Sequence, residues 1–143
     1  MLADFISLYE STLIALYILL LMVFVQALVA TVAHRMQKQY VPGIVNENLG
    51  HESFVFRSHR TFMNSLENVP FMCLLVLFAA MVGIAPQTLA IITWVYVLAR
   101  LVHMVLYYKI ATEKNPSPRS HFYLIGVLAQ LTLFVLLAIH FLS

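Results

Sequence analysis

The chain has 143 residues, 62% hydrophobic and only 10% charged, with a formal net charge of +2 and a mean hydropathy of +0.91. That excludes an ordinary soluble domain, and uncharged runs near 20 residues long imply membrane spans. One cysteine, Cys73, excludes an internal disulfide.

The first ten residues hold Asp4 and Glu10 but no Lys or Arg, the reverse of a secretory leader. The uncharged segment 11–33 is therefore expected to be a retained span. A polar connection follows, with Pro42-Gly43 and Asn46-Glu47-Asn48. Next come Arg57, Arg60, Asn64 and Glu67, spaced to share one stripe of a helix. Residues 68–99 then carry no charge, and Gly83-Ile84-Ala85-Pro86 interrupts them. Two crossings need about 40 residues, so a hairpin turning at Gly83–Pro86 must draw residues 54–67 and 100–108 into its helices. The polar clusters then lie inside the membrane ends of helices, where such groups face protein or a water-filled cleft. Ser117-Pro118 reads as an N-cap followed by proline at the first helical position, and residues 120–143 are again uncharged. Helices are expected at about 8–35, 54–82, 87–109 and 118–142 of one domain, residues 1–143: an all-α, up-down, integral membrane four-helix bundle.

Arg35, Lys38, Arg57 and Arg60 flank the first connection, and Lys109, Lys114 and Arg119 the third. The positive-inside rule puts both connections in the cytoplasm and both termini on the opposite side. Three polar clusters then share the cytoplasmic end: the stripe Arg57, Arg60, Asn64, Glu67; the face Arg100, His103, Tyr107; and Arg119, Ser120, Tyr123. Arginine forks match carboxylates, and a helix N-terminus favours anions. The set suits a small anionic ligand that also bears an ammonium for Glu67. Blander roles stay open. Arg57 and Arg60 can snorkel to headgroups, Glu67 can pair with Arg60 or Arg100, His103 can be a satisfied interior histidine, Tyr107 and Tyr108 can be interfacial aromatics, and Ser120 can be a plain first-turn residue. The histidines show no metal-ligand spacing, so no metal site is expected.

Arg57-Ser-His-Arg60-Thr-Phe-Met-Asn64-Ser-Leu-Glu67-Asn-Val-Pro70 resembles the signature of the MAPEG superfamily, membrane-associated proteins in eicosanoid and glutathione metabolism. Arg100-Leu-Val-His103-Met-Val-Leu-Tyr107, and Pro118-Arg119-Ser120 with Tyr123, are similar to two further motifs of its glutathione transferase and prostaglandin E synthase branch. The resemblance implies a homotrimer with glutathione between neighbouring subunits near the cytoplasmic side. It implies Arg119 and Ser120 as the catalytic residues beside the sulfur. Arg57, Arg60, Asn64, Glu67, Arg100, His103, Tyr107 and Tyr123 would hold glutathione, joined by Arg35 of the adjacent subunit. The chain departs from the branch at Met63, where that branch has another arginine, in a longer connection from Tyr107 to Arg119, and in an apolar run beyond Tyr123.

The expected activity is that of a membrane-bound glutathione transferase, with glutathione peroxidase chemistry as a second use of the same thiolate. Its partners would be glutathione, a hydrophobic electrophile and membrane lipids, without nucleic acid. The alternative is a non-catalytic member that binds lipid or glutathione. A four-helix exporter would need a buried acid within its first span, and residues 11–33 have none.

Overall fold

The computed structural model describes residues 2–142. A short α1 (Leu2–Leu8) precedes four long helices: α2 (Glu10–Arg35), α3 (Phe54–Met81), α4 (Pro86–Lys109) and α5 (Pro118–Leu142). Each long helix is apolar and long enough to cross a membrane, so the protein is an integral, multi-pass membrane protein. Among the described residues there is no strand, only an isolated bridge between Val41 and Ile44. The first span is the helix from Glu10, set off from α1 by a turn at Tyr9.

The turn between α3 and α4 shows how local sequence fixes topology. Gly83 adopts φ +84, the left-handed conformation that side chains resist. Its N–H donates to the Ala80 carbonyl (3.2 Å), and the Ile84 N–H reaches back to Ala79 (3.0 Å). Together these make a Schellman end. Pro86 then starts α4, where its missing N–H costs nothing. The Tyr9 hydroxyl donates to the Ile84 carbonyl (2.8 Å), so the break before α2 is pinned to this turn. A Cβ at Gly83 would meet nothing within 4 Å. Gly83→Ala should therefore lose about 1–2 kcal/mol through backbone conformation alone, read as a lower unfolding midpoint in detergent titration. An unchanged midpoint would contradict that account.

The core runs along one face of each span: Ala15, Leu19 and Met22 of α2, Met72, Val76 and Ala79 of α3, Leu89, Tyr96 and Val97 of α4, and Leu133 and Leu137 of α5. Opposite faces stay apolar and exposed, as at Phe24, Leu28, Phe71, Leu74, Leu98 and Phe134. Lipid makes that arrangement stable, since chains there cost nothing to meet apolar surface. Of the four spans, α4 is the most buried and α5 the least. Gly126 lets α5 lie close to α4: a Cβ there would stand 3.4 Å from the Tyr96 ring. The close approach carries the start of α5 over the end of α4, where the polar clusters sit.

Candidate functional site

One end of the bundle gathers the close of α4, the start of α3 and α5, and the two basic connections. Arg119, in the first turn of α5, lays its guanidinium over the Tyr107 ring, 4.1 Å from the centroid. Its Nη2 donates to the Thr112 carbonyl (3.1 Å) and lies 3.4 Å from His51 Nε2. Its Nη1 is buried and has no hydrogen-bond partner. A buried, unsatisfied cationic donor is costly. It is also the group an anion would satisfy.

His51 comes from the connection before α3. Its backbone N–H donates to Glu113 Oε1 (3.1 Å), and its ring lies 3.8 Å from the same carboxylate. Burial first, then the Arg119 charge, lowers the His51 pKa below 6.5, against a raising effect from Glu113. His51 is thus neutral where an ordinary histidine begins to charge. The sign follows: the unfolded chain binds that proton more readily, so stability should fall as pH drops below about 6.5. Above that window the contribution is level. His51→Gln should flatten this slope in unfolding measured from neutral pH downward. An equally steep slope in the variant would count against the assignment.

The stripe on α3 separates into two faces. Seven residues are nearly two helical turns, so Arg57 aligns with Asn64, and Arg60 with Glu67. Arg57 turns inward: its Nη1 donates to the Glu52 carbonyl (2.9 Å) and to that of His51 (2.6 Å), and its Nη2 to Tyr108 (3.4 Å). It binds the connection to the carbonyl end of α4, where a cation is favourable. Asn64 also turns inward, its Oδ1 accepting from Arg100 (2.8 Å). Ser65 accepts from the same nitrogen (3.1 Å), and Arg100 is 2% exposed. Arg60 and Glu67 are exposed, with no ion pair among the described residues. The ion pair open to Glu67 with Arg60 or Arg100 is therefore absent within one chain, because Glu67 faces away from the helix that carries Arg100.

His103 is buried, with ring centroids 5.6 Å from Tyr107 and 6.4 Å from Tyr123. Its Nδ1 has no partner, nor do Arg100 Nε and the Tyr96 hydroxyl on the same face of α4. Tyr123 is partly exposed beside them. Ser120 completes the cap of α5: its Oγ accepts from the Ser117 N–H (3.1 Å), a capping box closed by a hydroxyl. Arg35 stands apart, lining a cavity between α2 and α3. The structure therefore groups Arg57, Tyr107, His103, Arg119 and Tyr123, seats Arg100 with Asn64 deeper, and turns Arg60 and Glu67 outward. Sequence reasoning missed His51, Thr112, Glu113 and Ser65. Only His51 and Glu113 carried a signal, as titratable groups in connections beside the clusters.

The family model described as MAPEG family matches residues 11–139. No curated protein and no solved structure matches.

Proposed function

The chain belongs to the MAPEG family, and from that premise we propose that it is a membrane-bound glutathione transferase whose site faces the cytoplasm. The observation that carries this reading is the Arg119 guanidinium, held over Tyr107 at the start of α5 with one buried donor unsatisfied. The other unpartnered groups nearby, Arg100 Nε and His103 Nδ1, fit a polar tripeptide better than an apolar one.

Glutathione supplies the nucleophile, a thiolate that displaces the leaving group of an apolar electrophile entering from the bilayer. With a lipid hydroperoxide instead, two glutathiones yield the disulfide, an alcohol and water. A free thiol has a pKa of about 8.5. Bringing it to about 6.5 takes roughly 2.7 kcal/mol of preference for the thiolate. Arg119 can provide this with its free donor, aided by the positive end of α5. Ser120 stands one residue on; its Oγ accepts from the Ser117 N–H and its own O–H can still donate to a thiolate, so Arg119 supplies the charge and Ser120 a second hydrogen bond. Asn64, Arg100, His103, Tyr107 and Tyr123 would hold the peptide, and Arg57 fixes the connection that shapes the rim.

Arg60 and Glu67 lie exposed on a membrane-length helix. Charges there are expensive against lipid. That cost favours a neighbouring copy that covers them, in a homotrimer with glutathione between protomers, to which Arg35 of the adjacent copy would also contribute.

The test is a steady-state assay of purified protein with glutathione and a chlorinated nitrobenzene, on particles whose mass is measured. Conjugation by a trimer is the expected result. One observation favours a second reading, a non-catalytic binding protein: Arg119 already has Tyr107, Thr112 and His51 as neighbours. A folded trimer that takes up no glutathione by calorimetry would establish that reading and end the first.

A further inference from the structure

A lowered thiol pKa fixes an equilibrium but not a route. The S–H proton still needs an acceptor. Arg119 cannot take it, because a guanidinium keeps its charge. The nitrogen it leaves for a sulfur, Nη1, is buried and without a partner. A thiol seated there is screened from bulk water, so the acceptor must be a side chain of the same cluster.

Two imidazoles stand in that cluster. His103 is 4% exposed, and its ring meets the Tyr107 and Tyr123 rings. A proton taken there has no carboxylate to follow among the described residues. His51 differs on both counts. Its side chain is 16% exposed, and its Nε2 stands 3.8 Å from Oε2 of Glu113, which is 75% exposed. The other oxygen of that carboxylate accepts from the His51 backbone N–H (3.1 Å), so the two residues are held in register. Arg119 Nη2 lies 3.4 Å from Nε2 and 3.5 Å from Nδ1. It is shared between the ring nitrogens and closes off neither. Phe56 meets the ring edge-on at 4.9 Å, and the Tyr107 ring lies 5.8 Å away. The charged groups facing His51 are Arg119 of α5, Arg57 and Arg60 of α3, and Glu113 of the third connection. Burial and the three cations, Arg119 foremost, keep the ring unprotonated at neutral pH. A base that holds a proton weakly does not trap it, and Glu113 gives that proton somewhere to go.

We propose that His51 is the first acceptor of the glutathione thiol proton, and that the Glu113 carboxylate carries it on to the water outside the bundle. This role rests on Arg119 holding glutathione, and it deepens that reading by naming the way out for the proton. The S–H bond breaks as an N–H bond forms on the imidazole. The electron pair stays on sulfur as the thiolate that Arg119 holds. The imidazolium then passes its proton to Glu113 and becomes neutral again, and Glu113 releases it to water. One proton leaves per thiolate, and nothing is oxidised or reduced. Each transfer runs over hydrogen-bond distance or through one water, and the exposed Glu113 chain can close the 3.8 Å to Nε2.

The experiment mixes the full chain in detergent rapidly with glutathione at neutral pH, with no electrophile present. Thiolate is followed by its ultraviolet absorbance, and the released proton by an indicator dye. The parent should gain thiolate and release one proton with it. A base changes the rate of this step and not its end point. His51→Gln should therefore reach the same thiolate level about a hundredfold more slowly, the smaller end of what a positioned base contributes. His51→Ala leaves room for a small base, and imidazole added to the buffer should restore much of the speed. Glu113→Gln keeps an acceptor for the His51 N–H but loses the charge, and should slow the step about tenfold. Unchanged rates in the His51 and Glu113 variants overturn the proposal. So does a thiolate level that falls with the rate and is not recovered by imidazole, for His51 then only shapes the site. If His51→Gln does not fold, Glu113→Gln decides, since that side chain is exposed. The two readings fail differently. A parent that forms no thiolate ends the transferase reading and this one with it, whereas thiolate in the parent with unaltered variants ends only the proton route.

Discussion

Arg119→Ala is expected to slow conjugation with glutathione about a hundredfold at neutral pH and to abolish the ultraviolet absorbance of bound thiolate. The magnitude is the roughly 2.7 kcal/mol asked of this one guanidinium. Little should be lost in folding. The stacking on Tyr107 is worth about 0.5–1 kcal/mol, and the bond to Thr112 about as much. A normal unfolding curve with a silent thiol is therefore the informative outcome. Arg119→Lys keeps the charge but loses the planar fork and its seat on the ring, and should fall between the two. If Arg119→Ala shows the thiolate absorbance of the parent, thiol activation lies elsewhere and the scheme fails.

The second large effect is on stability. Asn64→Leu should cost about 2–3 kcal/mol, whereas Arg100→Met should cost much less or nothing. Arg100 is 2% exposed and has no carboxylate within an ion pair among the described residues. Its charge is held by the Asn64 and Ser65 oxygens through one nitrogen, while Nε has no partner. Deleting the acceptor leaves a buried cation with one neutral contact, and bonds to charged groups carry about 1.5–3 kcal/mol. Deleting the cation instead removes its desolvation cost, and a flexible apolar chain fills the space. In the Arg100→Met background, Asn64→Leu should become mild, giving a coupling of about 1.5 kcal/mol or more. Measured by unfolding titration in one detergent, equal and additive costs would refute the arrangement. A structural role for the pair does not exclude a ligand role: an unpartnered Nε so close to His103 remains a donor for a bound peptide.

These two residues show where sequence reasoning stops. Both arginines stand out in the chain because charge is scarce in apolar runs. Helical spacing places Arg100 on one face with His103 and Tyr107, and all three are turned into the bundle or its rim. The same spacing treats Arg57, Arg60, Asn64 and Glu67 as one stripe. It is one stripe only within the tolerance of a helical face. A difference of three residues rotates a side chain by about 60°, enough to send Arg57 and Asn64 inward and Arg60 and Glu67 outward. Ser117-Pro118 announces the start of α5, yet that Ser120 closes the cap requires the turn to be formed.

What the chain alone determined is whatever depends on neighbours in sequence. The membrane-length helices follow from uncharged runs, the hairpin from Gly83 and Pro86, and the basic character of one end from where the lysines and arginines stand. Tertiary structure alone decided which charges meet: Arg119 over Tyr107 and against His51, Arg100 on Asn64, and Arg35 at the edge of a cavity between α2 and α3. Those pairings join residues 12 to 68 positions apart. They are set by how far α5 can approach α4 at Gly126 and by how the first connection folds back on α2, quantities that packing fixes and no local pattern encodes.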